Sequence, residues 1–227
     1  MNDNIIELVN IEKNYTPNEQ QINGINNATV NFKRGKMYAI IGHSGSGKST
    51  LLQIIGLLKE KTSGKYMLFN TDTDTMDESK KAQMRNKHIG FMFQEFHLDE
   101  DISTIENIML PYYISSQKNY KEKREEILKW FKLLEIEGKE KKLPSELSTG
   151  QNAKIAFMRA LVNNPEIILA DEPTGNLDKD NEKTLFELLK KLAHEGKCVI
   201  VVSHSQEIKK YADTIITIEN GMVKYEK

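Results

Sequence analysis

A single cysteine, Cys198, in 227 residues excludes a disulfide framework within the chain and a zinc site built from several cysteines. It stands in the apolar run Cys198-Val-Ile-Val-Val202, where a buried strand residue is expected rather than a reactive thiol. An excess of either charge is also missing. Thirty-two Lys and Arg oppose 33 Asp and Glu, a formal net charge of −1, so there is no electrostatic footprint for nucleic acid or anionic lipid. No run approaches the roughly eighteen apolar residues that a membrane-crossing helix needs. The start, Met1-Asn-Asp-Asn-Ile-Ile-Glu7, has neither the basic nor the apolar segment of a signal peptide. These absences predict a soluble cytoplasmic protein. What is present, 38% hydrophobic and 29% charged residues, suits one sizeable globular domain or a domain with a smaller inserted lobe.

Short apolar runs alternate with longer helical patterns. Tyr38-Ala-Ile-Ile41 ends at Gly42, and Leu51-Leu-Gln-Ile-Ile55 begins a helical pattern. Ile167-Ile-Leu-Ala170 and Val199-Ile-Val-Val202 read as buried strands, with Leu185, Leu188, Leu189 and Leu192 at helical spacing between them. Strands separated by helices imply a parallel sheet with sites beyond its carboxyl edge. Asn220-Gly221 between Ile215–Ile218 and Met222–Tyr225 predicts a hairpin, because both turn residues tolerate positive φ. From about Asp101 to Leu147 the signals are helical. Ser103 and Glu106 have capping-box spacing, and Ile127, Leu128, Phe131 and Leu134 share one helical face. Trp130 and Phe131 are expected in the core of a helical lobe. Lys139–Lys142 reads as a solvated linker, and Asp72–Glu78 as an exposed acidic loop lacking the glycine and final glutamate of a calcium loop.

Three segments carry chemistry. Gly42-His-Ser-Gly-Ser-Gly-Lys-Ser49 fits the phosphate-binding loop, following a strand and opening a helix. Gly45 and Gly47 let the backbone wrap a phosphate, Lys48 supplies a mobile positive charge, and the Ser49 hydroxyl is placed for Mg²⁺. Asp171-Glu172 ends an apolar strand. Adjacent strand residues point to opposite sides, so Asp171 can hold Mg²⁺ while Glu172 polarises water; a cap for the following helix is the other reading. Leu147-Ser-Thr-Gly-Gln151 precedes a helical segment from Asn152 to Leu161. Ser148 and Gln151 there form a capping box, and such a helix start with Gly150 is also an anion-binding surface. No guanine-reading Asn-Lys-x-Asp segment is present.

The phosphate loop, Gln94, Leu147–Gln151, Asp171-Glu172 and His204 occur in the order and spacing of one family. Over nearly its whole length the chain resembles the ATP-binding subunit of an ABC transporter. The resemblance implies an α/β fold with a RecA-like phosphate-loop core, an N-terminal antiparallel β-subdomain and an inserted helical subdomain. The core would take about 1–94 and 160–227, and the helical part 95–159 with the signature segment. The cofactors implied are ATP and Mg²⁺. Partners implied are an integral-membrane permease and a second copy, in an ATP-dependent head-to-tail homodimer at the inner face of the cell membrane, with no nucleic acid. ATP would contact Gly42, His43, Ser44, Gly45, Ser46, Gly47, Lys48, Ser49 and Thr50, and Ser148, Gly150 and Gln151 of the other copy. Tyr15 matches the adenine-stacking aromatic, although it also reads as a half-buried strand end. Ser49, Gln94 and Asp171 match the Mg²⁺ site, Glu172 and His204 the catalytic pair, and Gly175–Asp178 the segment that joins the two sites.

Within the family, Gly175-Asn-Leu-Asp178 and Ile89–Gln94 resemble the macrolide-efflux, lipoprotein-release and cell-division branch, and export of antimicrobial peptides or small molecules is the expected work. Three positions depart from the pattern: Thr149 where a second glycine is usual, Lys154 where Arg is usual, and Ser205 where Asp follows the histidine. They bear on turnover rate. An ATP-driven mechanical regulator without transport is the alternative function, and a nucleotide-binding module with poor hydrolysis a second, motivated by Thr149. The run Glu95–Asp101, with acids at 95, 99, 100 and 101, is expected to face Lys or Arg of a permease helix, or to be a solvated loop.

Overall fold

The computed structural model describes residues 3–15, 22–115 and 117–226. Two sheets organise it. A four-stranded antiparallel sheet has the order β2-β1-β4-β5, from β1 (Asn4–Tyr15), β2 (Ile22–Lys33), β4 (Ser63–Leu68) and β5 (Thr71–Asp72). A six-stranded sheet has the order β10-β9-β3-β8-β7-β6, from β3 (Lys36–Ile41), β6 (Ile89–Met92), β7 (Ile167–Asp171), β8 (Cys198–Val202), β9 (Thr214–Glu219) and β10 (Met222–Glu226). Strands β9, β3, β8, β7 and β6 are parallel, and only the final hairpin strand β10 runs against its neighbour.

The composition of the strands explains this. All five residues of β8 are fully buried, as a strand covered on both faces requires. On one face, Ile40, Leu169, Ile200 and Val202 pack with Leu51, Ile54 and Ile55 of α1 (Lys48–Ile55) and with Ile6, Leu8 and Phe32 of the antiparallel sheet. On the other, Ala39, Ile168 and Val201 pack with α3 (Thr104–Ile114), α4 (Tyr120–Leu133), α5 (Thr149–Leu161) and α6 (Lys179–His194), through Ile108, Phe131, Ile155 and Phe186. The helical stretch therefore shares one apolar cluster with the underside of the sheet. Cys198 is fully buried and burial pushes its thiol up, consistent with an inert strand residue.

Several local expectations change. Ser103 caps α3 by accepting from the Glu106 N–H at 3.4 Å, but the Glu106 carboxylate does not return the bond; it binds Tyr113 at 2.7 Å and pairs with Arg124. Leu128 leaves the buried face of α4 and is 45% exposed, because Ile127, Phe131 and Leu134 already fill the contact. The α5 helix starts at Thr149, three residues before the expected Asn152, since Ser148 caps it and Thr149 and Gly150 form its first turn. The boundary placed between 159 and 160 falls inside that helix. In the acidic stretch 72–78 the acids at 74, 77 and 78 are exposed as expected, while Asp72 and Asp77 also accept from backbone N–H groups, Asp72 capping a 3-10 turn and Asp77 capping α2 (Glu78–His88). The stretch around Lys139 is anchored, since Thr104 Oγ1 donates to the Lys139 carbonyl at 2.6 Å.

Candidate nucleotide site

Parallel pairing brings the functional segments to one edge. In register, Ile40 and Asp171 both sit opposite Val202, and β6 ends beside Ala170. The chain therefore leaves the sheet at Gly42, Phe93, Glu172 and Ser203 in one neighbourhood, the carboxyl edge at which ligands bind in such sheets.

The loop from Gly42 to Lys48 turns on glycines. Gly45 and Gly47 have φ of 74° and 106°. A Cβ at Gly47 would lie 2.2 Å from the Gly24 carbonyl oxygen, so no side chain fits there. Gly47 occupies the N-cap of α1 and offers no capping side chain, which leaves the first-turn N–H groups open to an anion. Lys48 is 4% exposed, and its Nζ donates to the carbonyls of Gly42 at 3.0 Å and His43 at 2.9 Å. Burial pulls this lysine below its ordinary value, while Glu172 and Asp171 act the other way. The Ser46 hydroxyl is buried without a partner.

Opposite the loop, Ser49 Oγ donates to Asp171 Oδ1 at 3.0 Å. Burial holds the Asp171 carboxyl above the usual aspartate range, although the Ser49 bond and Lys48 oppose this. Glu172 lies beyond the strand in a left-handed conformation, φ 47°, and its N–H donates to the Val202 carbonyl at 2.9 Å. The strand ends at Asp171, so the alternation expected for an adjacent pair on a strand does not extend to Glu172, and the two acids bond different partners, Ser49 and His204. A non-glycine residue held there is strained, and such strain gathers at functional positions. His204 Nε2 lies 2.8 Å from Glu172 Oε1. Ser205 does not disturb the pair: its N–H donates to Ser203 Oγ, and its own hydroxyl caps the following turn.

The remaining expected residues have other partners. Gln94 is exposed beside Gly175, and Asn176 Nδ2 is 3.4 Å from the Gln94 carbonyl. No hydrogen bond among the described residues joins Gln94 to Ser49 or Asp171. Ser148 accepts from the Gln151 N–H and donates its own N–H to Gln151 Oε1 at 3.0 Å, both halves of a capping box. Neither bonds to the phosphate loop. Gly150 abuts the Asn181 side chain, which itself binds Asp178 at the start of α6. Lys154 donates to the Leu134 carbonyl just past the end of α4. The acids at 95, 99, 100 and 101 are exposed. Tyr15, at the end of β1, is 3.3 Å from Thr50 Oγ1 and accepts from Lys59 Nζ at 2.9 Å. Lys59 carried no signal in the sequence, because 44 residues separate it from Tyr15 and only the fold joins them.

A glycine loop with a buried lysine at a helix start, facing a carboxylate pair at the carboxyl edge of a parallel sheet, defines a phosphate-loop nucleotide-binding domain. The comparisons narrow this class. The family described as ABC transporter matches residues 25–175. The ABC transporter ATP-binding protein MJ0796 of Methanocaldococcus jannaschii is 39% identical over 227 residues, covering 98% of this chain and 97% of that one. The macrolide export ATP-binding/permease protein MacB of Mannheimia succiniciproducens is 40% identical over 97% of this chain but only 34% of its own length. The chain thus spans about a third of the MacB relatives it matches. A solved dimeric, post-hydrolysis state of the MJ0796 cassette bound to ADP and phosphate superposes with a TM-score of 0.91 at 38% identity, covering 98% of both chains. The protein belongs to the ABC transporter family, as an ATP-binding cassette.

Proposed function

We propose that the chain is the ATP-hydrolysing subunit of an exporter, working as a pair of copies beneath a membrane permease. The observation that carries this reading is the Glu172–His204 pair, 2.8 Å apart, set beside the Ser49–Asp171 bond at one sheet edge. Lys48 and the open N–H groups of α1 hold the phosphates. The site fits Mg²⁺ in its donor chemistry, with a hydroxyl and a carboxylate oxygen side by side. Ser49 and Asp171 would hold the ion and Gln94 would adjoin it; when bound, the ion neutralises phosphate charge. Glu172 accepts the proton of the attacking water, and His204 orients both. Binding gains from two costs already present: anionic phosphate restores the charge that burial disfavours on Lys48, and a cation does the same for Asp171.

Ser148 and Thr149 are exposed and Gly150 is half-buried at the start of a capped helix that bonds to nothing in its own phosphate loop. That arrangement, and the dimeric solved relative, support a head-to-tail pair in which each copy's Ser148–Gln151 faces the other's nucleotide. The described residues contain no helix long and apolar enough to cross a membrane; we assign membrane attachment at the inner face to a permease. The likeness to macrolide export proteins supports a small molecule as cargo, and an antimicrobial peptide is the second candidate. We also read 95–159 as the lobe that carries closure to the permease, on a core of 1–94 and 160–227.

Light scattering on the Glu172→Gln protein tests this. With ATP and Mg²⁺ the mass should double, and without nucleotide it should return to that of one chain. A mass fixed at one chain under both conditions would refute the ATP-closed pair.

A further inference from the structure

Tyr15 is held unusually firmly for the last residue of a strand. Its phenol oxygen accepts from Lys59 Nζ at 2.9 Å and lies 3.3 Å from Thr50 Oγ1. Its ring lies against Gly24, where an added Cβ would come 2.5 Å from Tyr15 Cε2. Gly24 in turn presses on the phosphate loop, its carbonyl oxygen within 2.2 Å of a Cβ placed at Gly47. All three supports belong to, or touch, one unit. Thr50 lies on α1, and Lys59 sits on the turn that closes it, with the Leu58 and Lys59 N–H groups both donating to the Gln53 carbonyl at 2.9 and 3.2 Å. A second cation, Lys13 Nζ, lies 5.5 Å from the ring centre, against 5.1 Å for Lys59.

We propose that Lys59 is a positioning residue for the base of a purine nucleoside triphosphate, fixing the Tyr15 ring at a set distance from the phosphate loop. This rests on the nucleotide reading above. The physical argument is one of preorganisation. A ring on a free strand end must be ordered when a base stacks on it, and that entropy is subtracted from the stacking energy. Here the ring is ordered in advance by a charge-assisted hydrogen bond, among the stronger kinds. Burial acts to raise the Tyr15 phenol, but the bonds from Lys59 and Thr50 and the charges of Lys59 and Lys13 outweigh it and bring the phenol below its ordinary value. Lysine suits the task because its stem reaches across from α1 and its ammonium has only donors to offer.

A simpler role for Lys59 is attraction of the phosphates by charge. The two are separated by a ligand that has phosphates and no base. Binding of ATP and of inorganic tripolyphosphate, both with Mg²⁺, should be measured by calorimetry on the whole chain and its variants. Lys59→Met should weaken ATP about fivefold, the ordering cost of roughly one side chain, and leave tripolyphosphate unchanged. Tyr15→Phe, which keeps the stacking face and loses the anchor, should match it. The double variant should be no weaker than either, because both break one link. In turnover, KM should rise and kcat stay level. Retained tripolyphosphate binding also certifies that each variant is folded. Equal weakening of both ligands, or unchanged ATP binding in Lys59→Met, would overturn the proposal. If the unsubstituted chain bound tripolyphosphate but not ATP, the base platform itself would be refuted; if it bound neither, the nucleotide reading would fall.

Discussion

The phosphate loop and the start of α5 both present a helix N-terminus to anions, yet they are built on opposite terms. Around Lys48 burial leaves costs in place: the lysine is buried with only backbone carbonyls as acceptors, the Ser46 hydroxyl has no partner, and the Asp171 carboxyl bears a desolvation cost. Around Ser148 the helix start is complete, with the N-cap hydroxyl and the Gln151 side chain satisfying each other's backbone. A site that stores cost is one a ligand relieves, so its affinity is intrinsic to one chain. A site already satisfied gains little alone and works as a rigid surface set against something else. The difference suits the pair proposed above, in which one copy would hold the nucleotide and the other copy would recognise it.

The strongest way to break this division is at Glu172. Glu172→Gln should lower phosphate release by about 10²–10⁴-fold, the range for removing a general base, while ATP binding by calorimetry stays near that of the parent chain. Equal loss of binding would mean that Glu172 belongs to the holding function and the division is wrong. Next in size is Phe131→Ala. Phe131 of the helical stretch is fully buried in the same cluster as Phe186 beneath the sheet. Its loss should cost about 3–5 kcal/mol by the usual cavity accounting, read as a lower denaturant midpoint. A single transition is expected, since the cluster is continuous; two separate transitions would show that the lobe stands alone.

The sequence exposed the loop region better than the lobe, for physical reasons. A phosphate loop needs glycines and a lysine at fixed offsets, and buried strands such as β7 and β8 need unbroken apolar runs, so both leave marks in the chain. The strand β4, Ser-Gly-Lys-Tyr-Met-Leu, has an exposed first half and no such run, and α2 buries none of its residues, so neither was legible. The early start of α5 was hidden because Thr149 and Gly150 are poor helix formers, and the Ser148 cap overrides their preference. Asp171 and Glu172 were expected as neighbours on one strand, whereas the strand ends at Asp171 and Glu172 begins a left-handed turn. The Lys59–Tyr15 bond is a tertiary fact with no local trace.

Ser148→Ala sharpens the comparison from the other side. Losing the cap should cost the single chain about 1 kcal/mol. If the hydroxyl also faces the partner's phosphate, ATP-driven doubling in the Glu172→Gln background should weaken by more than that cost alone. Thr149→Gly should act oppositely on association. It removes an exposed β-branched side chain from the first turn, and the doubling should then occur at lower ATP concentration, as light scattering would register.

The smallest expected effect concerns stability and pH. Burial raises the folded-state pKa of Asp171 above its unfolded value, so its ionised form is disfavoured in the fold. The sign follows directly. Above the folded pKa, Asp171 is ionised in both states and the fold carries the full penalty; below the unfolded value, near about 4, it is neutral in both and the penalty is gone. Asp171→Asn keeps an oxygen to accept from Ser49 and removes the charge. In the absence of nucleotide it should therefore melt slightly higher than the parent at pH 7, and the gain should shrink to nothing as pH falls through the raised pKa toward the unfolded one. Turnover should be lost at the same time, because the carboxylate that burdens the empty fold is the one the proposed cation site would require. A variant that melted lower at pH 7 would mean that the Ser49 and Lys48 contacts outweigh burial, and that this side of the site is as satisfied as the start of α5.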